Sequence, residues 1–177
     1  VGAWARLTGA EGLAGGDKPK HTPNIDSVME FVGYRKVSVA DGRLVREDKR
    51  MQLDFNAIAK GYTVDLIAGA IDSMGIADYM VEVGGEIVCR GKNPLSGMWR
   101  VAVDSPVDGN MTPGENCQVV LKLTDCGMAT SGNYRRFYID ANGRKIAHTI
   151  DPTTGRSDGA NLLSATVIAP TAAAARA

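Results

Sequence analysis

The chain has two histidines, and one of them stands in His148-Thr149-Ile150-Asp151-Pro152-Thr153-Thr154-Gly155. Imidazole is the side chain whose ordinary pKa lies nearest neutrality, so His148 can take or give a proton under mild conditions. Asp151 follows three residues later, and its Asp-Pro step disfavours helix and marks the end of an extended segment. The His-Asp pair therefore belongs at the rim of a strand. Two readings stay open: a proton-transfer pair, or a turn in which Asp151 caps its own backbone beside a surface histidine.

Other groupings carry polar chemistry. Asp54 and Asn56 stand just before Ala57-Ile58-Ala59-Lys60, where a helical pattern begins. A carboxylate, backbone amides and a lysine then converge near a helix N-terminus, a region of positive potential suited to anions. A capped helix with a solvated Lys60 fits the same residues. Gly127 to Tyr134 sets Thr130 and Ser131 among glycines. Hydroxyls and amides in such a turn can cradle phosphate, and a plain ST-turn is the alternative. Glu86 follows Gly84-Gly85 and reads as a recognition group or as a charge guarding an edge strand. Cys89, Cys117 and Cys126 form no CxxC pair, and no histidine lies at metal spacing from them. They are read as small buried hydrophobes in strands, not as a zinc site. Their odd number argues against a disulfide framework.

The elements that must position these groups are short. Residues 1 to 24 read as a helical piece followed by a loop in which His21 faces solvent. Apolar residues at 25, 28, 29 and 32 behind Asn24 predict a short helix with Asn24 as its N-cap. Asp41-Gly42 and Asn142-Gly143 each predict a hairpin turn. A longer helix is predicted from the Asn56 region to Gly75, with positions 58, 62, 66, 67, 70, 71 and 74 as its apolar face. Tyr79 to Gly91 reads as strand, glycine break, strand; 99–104, 118–123 and 162–168 read as further strands. An Ala-rich helix starts at Thr171. Many antiparallel strands with few helices make an α+β domain, not a parallel βαβ array. No Walker motif is present, and no GxGxxG follows a strand.

Composition sets outer limits. The chain has 177 residues, enough for one domain. It is 44% hydrophobic and 23% charged, which suits a globular core. Lys plus Arg and Asp plus Glu are both 20, so no net charge draws it to nucleic acid or membrane. No apolar run is long enough for a transmembrane helix. Val1-Gly2-Ala3-Trp4 shows neither an initiator methionine nor a signal pattern and reads as an internal cut.

Taken in order, four segments resemble the ApbE family. Asp54-Phe55-Asn56-Ala57-Ile58-Ala59-Lys60-Gly61-Tyr62-Thr63-Val64-Asp65 is similar to its D-x-x-x-x-A-K-G-Y-x-x-D element. Val81 to Ile87 resembles its V-x-x-G-G-[DE]-I strand pair, and Ala129-Thr130-Ser131-Gly132-Asn133-Tyr134 its A-T-S-G-[DN]-Y segment. The His148 segment resembles its H-x-I-D-P-x-T-G motif, with 164–170 as the strand that follows. The resemblance implies an α+β, T-fold-like domain of mainly antiparallel strands with flanking helices, a single domain over 1–177 truncated at both ends. It also implies FAD:protein FMN transferase activity: FAD is cleaved, FMN is attached through a phosphoester to a threonine of an acceptor flavoprotein, and AMP leaves. Some members instead hydrolyse FAD to FMN and AMP. Magnesium is implied, as is a periplasmic or cell-envelope location through a lipid anchor. Nucleic acid is not implied as a partner.

By that resemblance Asp54, Lys60 and Ile150 contact FAD, and Thr130 and Ser131 hold phosphate or a flavin edge. Ala57 binds magnesium through its carbonyl, His148 acts on the acceptor threonine's proton, and Asp151 orients it or makes a second polar contact. The sequence also departs from the pattern. Arg176 falls where the family carries a metal-binding aspartate, and the position of a second, threonine ligand lies beyond Ala177. Thr8 and Ala10 replace aromatic residues of the family's W-G-F-G. A guanidinium does not ligate a cation. The expectation is weak magnesium binding and little or no transferase turnover.

Overall fold

A computed structural model of the chain describes residues 24–107, 110, 112, 114–134, 137–139, 143, 145–147, 149–157 and 162–176. In chain order its elements are α1 (Ile25–Met29), β1 (Val37–Ala40), β2 (Arg43–Arg46), α2 (Asn56–Ser73), β3 (Tyr79–Val83), β4 (Glu86–Arg90), β5 (Trp99–Asp104), β6 (Cys117–Leu123), β7 (Cys126–Gly132), β8 (Phe137–Ile139), β9 (Lys145–Ala147), β10 (Ser164–Ala169) and α3 (Ala172–Arg176). A 3-10 turn, Tyr34–Lys36, precedes β1. Among the described residues every strand pairing is antiparallel, as the hairpin spacing predicts. Among the described residues no helix is long and apolar enough to cross a membrane. The chain divides into two compact units, Val1–Asp54 with Arg136–Asn161, and Phe55–Arg135 with Leu162–Ala177.

In the first unit, the Asn24 side chain accepts the Asp26 N–H at 3.1 Å and starts α1. β1 and β2 are joined through Asp41 (φ 50°) and Gly42 (φ 70°), the left-handed pair that a two-residue hairpin requires. β8 pairs with β9, so the second predicted hairpin is present in its strands. Its turn residues 141 and 142, like residues 1–23, lie outside the described residues.

The second unit is built on a four-stranded sheet in the order β10-β7-β4-β3. Alternation along β4 sorts its side chains onto two faces. Val88 is buried in a cluster with Val64 and Ala68 of α2, Tyr79, and Ala172 of α3. Ile87 and Cys89 point the other way, into a cluster with Met128 of β7 and Val101 and Leu123 of the β5–β6 ribbon. Glu86 shares parity with Val88 and so belongs to the helix-covered face.

Four sequence readings are corrected here. The buried face of α2 is Gly61, Val64 and Ala68, whereas Ile58, Tyr62, Leu66, Ile67 and Met74 of the predicted face are exposed. Both stripes are apolar, and the one of small side chains wins because it lets backbones approach closely. Residues 127–132 are strand, not turn: β10 pairs with all of them and β4 with Gly127 and Met128, and this pairing overrides the local turn signal of Ser and Gly. Glu86 does not guard an edge, because β4 lies between β3 and β7. Cys117 is exposed, while Cys89 is buried and Cys126 half-buried; all three are free thiols. Burial, with the Cys126 sulfur beside it, pushes the Cys89 thiol up to about 11.

Candidate functional site

The centre of the candidate site is Glu86, a fully buried carboxylate. A tight turn through Gly84 (φ 59°) and Gly85 (φ 95°) sets it at the start of β4. Neither of its oxygens has a hydrogen-bond donor of good angle; charge holds it instead. The Lys60 ammonium lies 2.7 Å from Oε2, and the Arg176 Nε lies 3.4 Å from Oε1. An isolated buried carboxylate is prohibitively costly, so both cations are part of what allows Glu86 to stand there. Lys60 also donates to the Gly84 carbonyl at 3.0 Å, and its side chain remains 45% exposed, within reach of an incoming anion.

Arg176 gathers the rest of the site. Its Nε donates to the Ala57 carbonyl at 2.8 Å. Its Nη1 donates to Ser131 Oγ at 2.6 Å and, more distantly, to the Thr130 carbonyl at 3.4 Å. Thr130 turns its hydroxyl to the opposite face of the sheet, 2.9 Å from the Thr166 hydroxyl on β10. One guanidinium thus ties together the first turn of α2, the head of β4 and the end of β7.

The backbone places that guanidinium. Asp65 on α2 accepts the N–H groups of Ala172 and Ala173, one on each carboxylate oxygen, at 2.8 and 2.9 Å. These are donors at the start of α3 that would otherwise lack partners. Gly61 and Gly127 make room: a Cβ on Gly61 would lie 2.6 Å from the Ala172 carbonyl oxygen, and one on Gly127 would strike the Ala172 amide. The A-K-G-Y-x-x-D segment therefore has three distinct duties. Lys60 pairs Glu86, Gly61 admits α3, and Asp65 anchors it.

The other expected site residues fall in the first unit. Asp151 Oδ1 accepts both the Thr153 amide at 2.8 Å and the Thr153 hydroxyl at 2.7 Å. The Gly155 amide closes the turn on the Asp151 carbonyl, also at 2.8 Å. Asp151 thus makes the self-capped turn that its sequence allowed. The Thr153 hydroxyl, then its amide, holds the carboxyl below its ordinary range. Ile150 is buried, lining an apolar hollow with Ile25, Val28, Met29 and Pro152. Gly155 (φ 68°) has no room for a side chain, since a Cβ would lie 2.8 Å from Ile25. Asp54 also belongs to this unit. His148 lies outside the described residues. The structure therefore brings Ala57, Lys60, Thr130 and Ser131 into one constellation, and Ile150 and Asp151 into one turn.

Magnesium demands near-octahedral oxygen ligation at about 2.0–2.1 Å. Ala57 does aim its carbonyl into the constellation, but the group that it binds is Arg176. Among the described residues no cluster of three or more His, Cys, Asp or Glu could hold a metal ion. With Arg176 bonded to the Ala57 carbonyl and Ser131, the described residues do not fit magnesium.

Residues 1–177 match the model of the ApbE family. The chain belongs to the ApbE family. Its relatives include the FAD:protein FMN transferase of Haemophilus influenzae, 36% identical over 162 residues that cover 87% of this chain and 45% of that protein. The enzyme of that name from Escherichia coli K12 is 41% identical over 153 residues, covering 84% and 42%. Among solved structures, the flavin transferase ApbE from Vibrio cholerae aligns with a TM-score of 0.75 at 29% identity, covering 98% of this chain and 59% of that one. The ApbE protein from Thermotoga maritima aligns with a TM-score of 0.75 at 26% identity, again covering 98% and 59%. The chain spans about half the length of the curated relatives that it matches. The mixed, mainly antiparallel ApbE fold expected from the motifs is the one observed.

Two residues of consequence, Gly61 and Asp65, escaped the sequence reading as site members, and Glu86 was left between a recognition group and an edge-strand charge. Glu86 did carry a signal, being an acid at the head of the apolar run Ile87-Val88-Cys89. A charge entering a continuous hydrophobic strand asks for a buried partner.

Proposed function

We propose that this chain binds FAD and serves transfer of its FMN half to a hydroxyl of an acceptor flavoprotein, a threonine by family resemblance. The acceptor oxygen attacks the phosphorus of the FMN half, the bond from that phosphorus to the oxygen of the AMP half breaks, and AMP leaves. The hydroxyl proton passes to a base, the role proposed for His148. Such transfers depend mainly on positioning and charge compensation. The observation that carries the reading is the Lys60 ammonium, half-exposed yet fixed by a fully buried Glu86 and the Gly84 carbonyl. It offers a pre-placed positive charge to a pyrophosphate. Asp54, Ser131 and Ile150 are the further proposed FAD contacts, whereas the Thr130 hydroxyl, bonded to Thr166 on the other face of the sheet, is not; Asp151 would shape the turn that follows His148. Magnesium has no step in this scheme, because Arg176 holds the oxygens nearest to Ala57. A periplasmic or cell-envelope location with a lipid anchor belongs to the same proposal; recovery of the native protein solely from cytosol would refute it.

A second reading has its own observation. Arg176 in place of a metal favours a flavin-binding module that turns FAD over slowly or not at all. Calorimetric titration with FAD, together with chromatography of the products, separates the readings. Binding with AMP release supports transfer or hydrolysis, and flavin retained on an acceptor after denaturation selects transfer. Binding without AMP supports the module. Absence of FAD binding overturns both.

A further inference from the structure

We propose that Arg176 is a built-in cation, seated where an oxygen-rich cavity would otherwise take a divalent metal, and that it excludes such a metal. The seat is made of the Ala57 and Thr130 carbonyls, Ser131 Oγ and the Glu86 carboxylate. Carbonyl, hydroxyl and carboxylate oxygens gathered around one guanidinium are the oxygen types that a hard cation takes. Glu86 supplies an independent sign of the same demand. It is fully buried, and neither oxygen has a well-angled hydrogen bond, so the position requires positive charge from its surroundings. The Arg176 side chain, 18% exposed, supplies it.

For a metal to enter, Arg176 must swing out and give up its bonds to Ala57 and Ser131. If it stayed, two cations would share one set of oxygens at close range, where like charges repel. The helix that carries it is pinned by Asp65 and closed in by Gly61 and Gly127, so withdrawal of the whole element is also opposed. The charge of this seat is therefore fixed by the covalent chain and insensitive to chelators. The inference rests on the seat and not on the flavin reading: loss of FAD binding would leave it standing, and metal uptake by the unaltered chain would leave the flavin reading standing.

The test compares the unaltered protein with Arg176→Asp and Arg176→Ala, using Mn²⁺ binding by electron paramagnetic resonance. Arg176→Asp is expected to bind Mn²⁺ at least about tenfold more tightly than the unaltered chain. Adding Glu86→Gln to Arg176→Asp is expected to remove that gain. Equal affinity in the unaltered chain and Arg176→Asp would overturn the proposal. So would no gain in either variant while both keep the parent's circular-dichroism spectrum, or a gain that survives Glu86→Gln. Should the variants not fold, the unaltered protein still decides: Mn²⁺ should leave the Arg176 Nε–H resonance unbroadened, and selective broadening of it would overturn the inference.

Discussion

The seat around Glu86 and the turn from Asp151 to Gly155 are both polar, both drawn from family motifs, and held by opposite means. In the turn, Asp151 is bonded to residues two to five positions away, and its carboxylate is exposed to water. In the seat, Arg176 reaches residues 45 and 119 positions away in sequence. The turn needs only its own backbone. The seat exists only when a sheet, a long helix and a short closing helix have all assembled. Short-range polar bonds make a shape that survives change elsewhere; long-range ones make a site that reports on the whole unit.

The sharpest way to break this contrast is Glu86→Ala. It leaves two cations facing each other without their counter-charge, and breaking a buried pair of this kind costs about 3 kcal/mol. Urea denaturation should show the loss, whereas the amide resonances of Thr153 and Gly155 should keep their positions. Gly127→Ala comes next. A methyl at that position meets the α3 backbone, which cannot step aside like a flexible side chain. A destabilisation of about 1–3 kcal/mol is expected, together with a shift of the Ser131 amide resonance. Asp65→Ala should cost about 1 kcal/mol, the usual loss on removing a helix cap, and should raise amide exchange at Ala172 and Ala173. The turn gives the smallest effect. The Asp151 carboxyl lies below its ordinary 3.8, so its contribution is complete above that value and is lost as pH falls through the lower, folded one. Carbon-detected NMR should show Asp151 titrating below an ordinary aspartate, with Ser131 unmoved. Titration at the ordinary value would refute the hydrogen-bonded turn.

The same contrast explains what could be read from the amino acids. Asn24, Asp41-Gly42, Gly84-Gly85 and the end of α2 at Gly75 (φ 77°) announce themselves because their duties are local. Asp151 was legible as a self-capping turn for the same reason. The buried face of α2 was not, because Gly61 and Ala68 count for little in a hydrophobic pattern. Their value lies in what they permit to come near, and that is a property of α3, more than a hundred residues away. Thr130 and Ser131 were found as site residues but assigned to a turn, since nothing local reveals that β10 pairs with them. Arg176 was singled out by motif alignment as unable to ligate a metal. That it would bond the Ala57 carbonyl and Ser131 itself required the fold.

Ala172 to Ala175 look like filler, yet they are unequal. Ala172 and Ala175 are buried, the first between two glycines, while Ala174 faces outward. A designer who enlarged the inner pair to strengthen the hydrophobic contact would wedge the helix off its bed and carry the guanidinium away with it. At this point in the molecule, smallness is the information, and a composition count cannot register it.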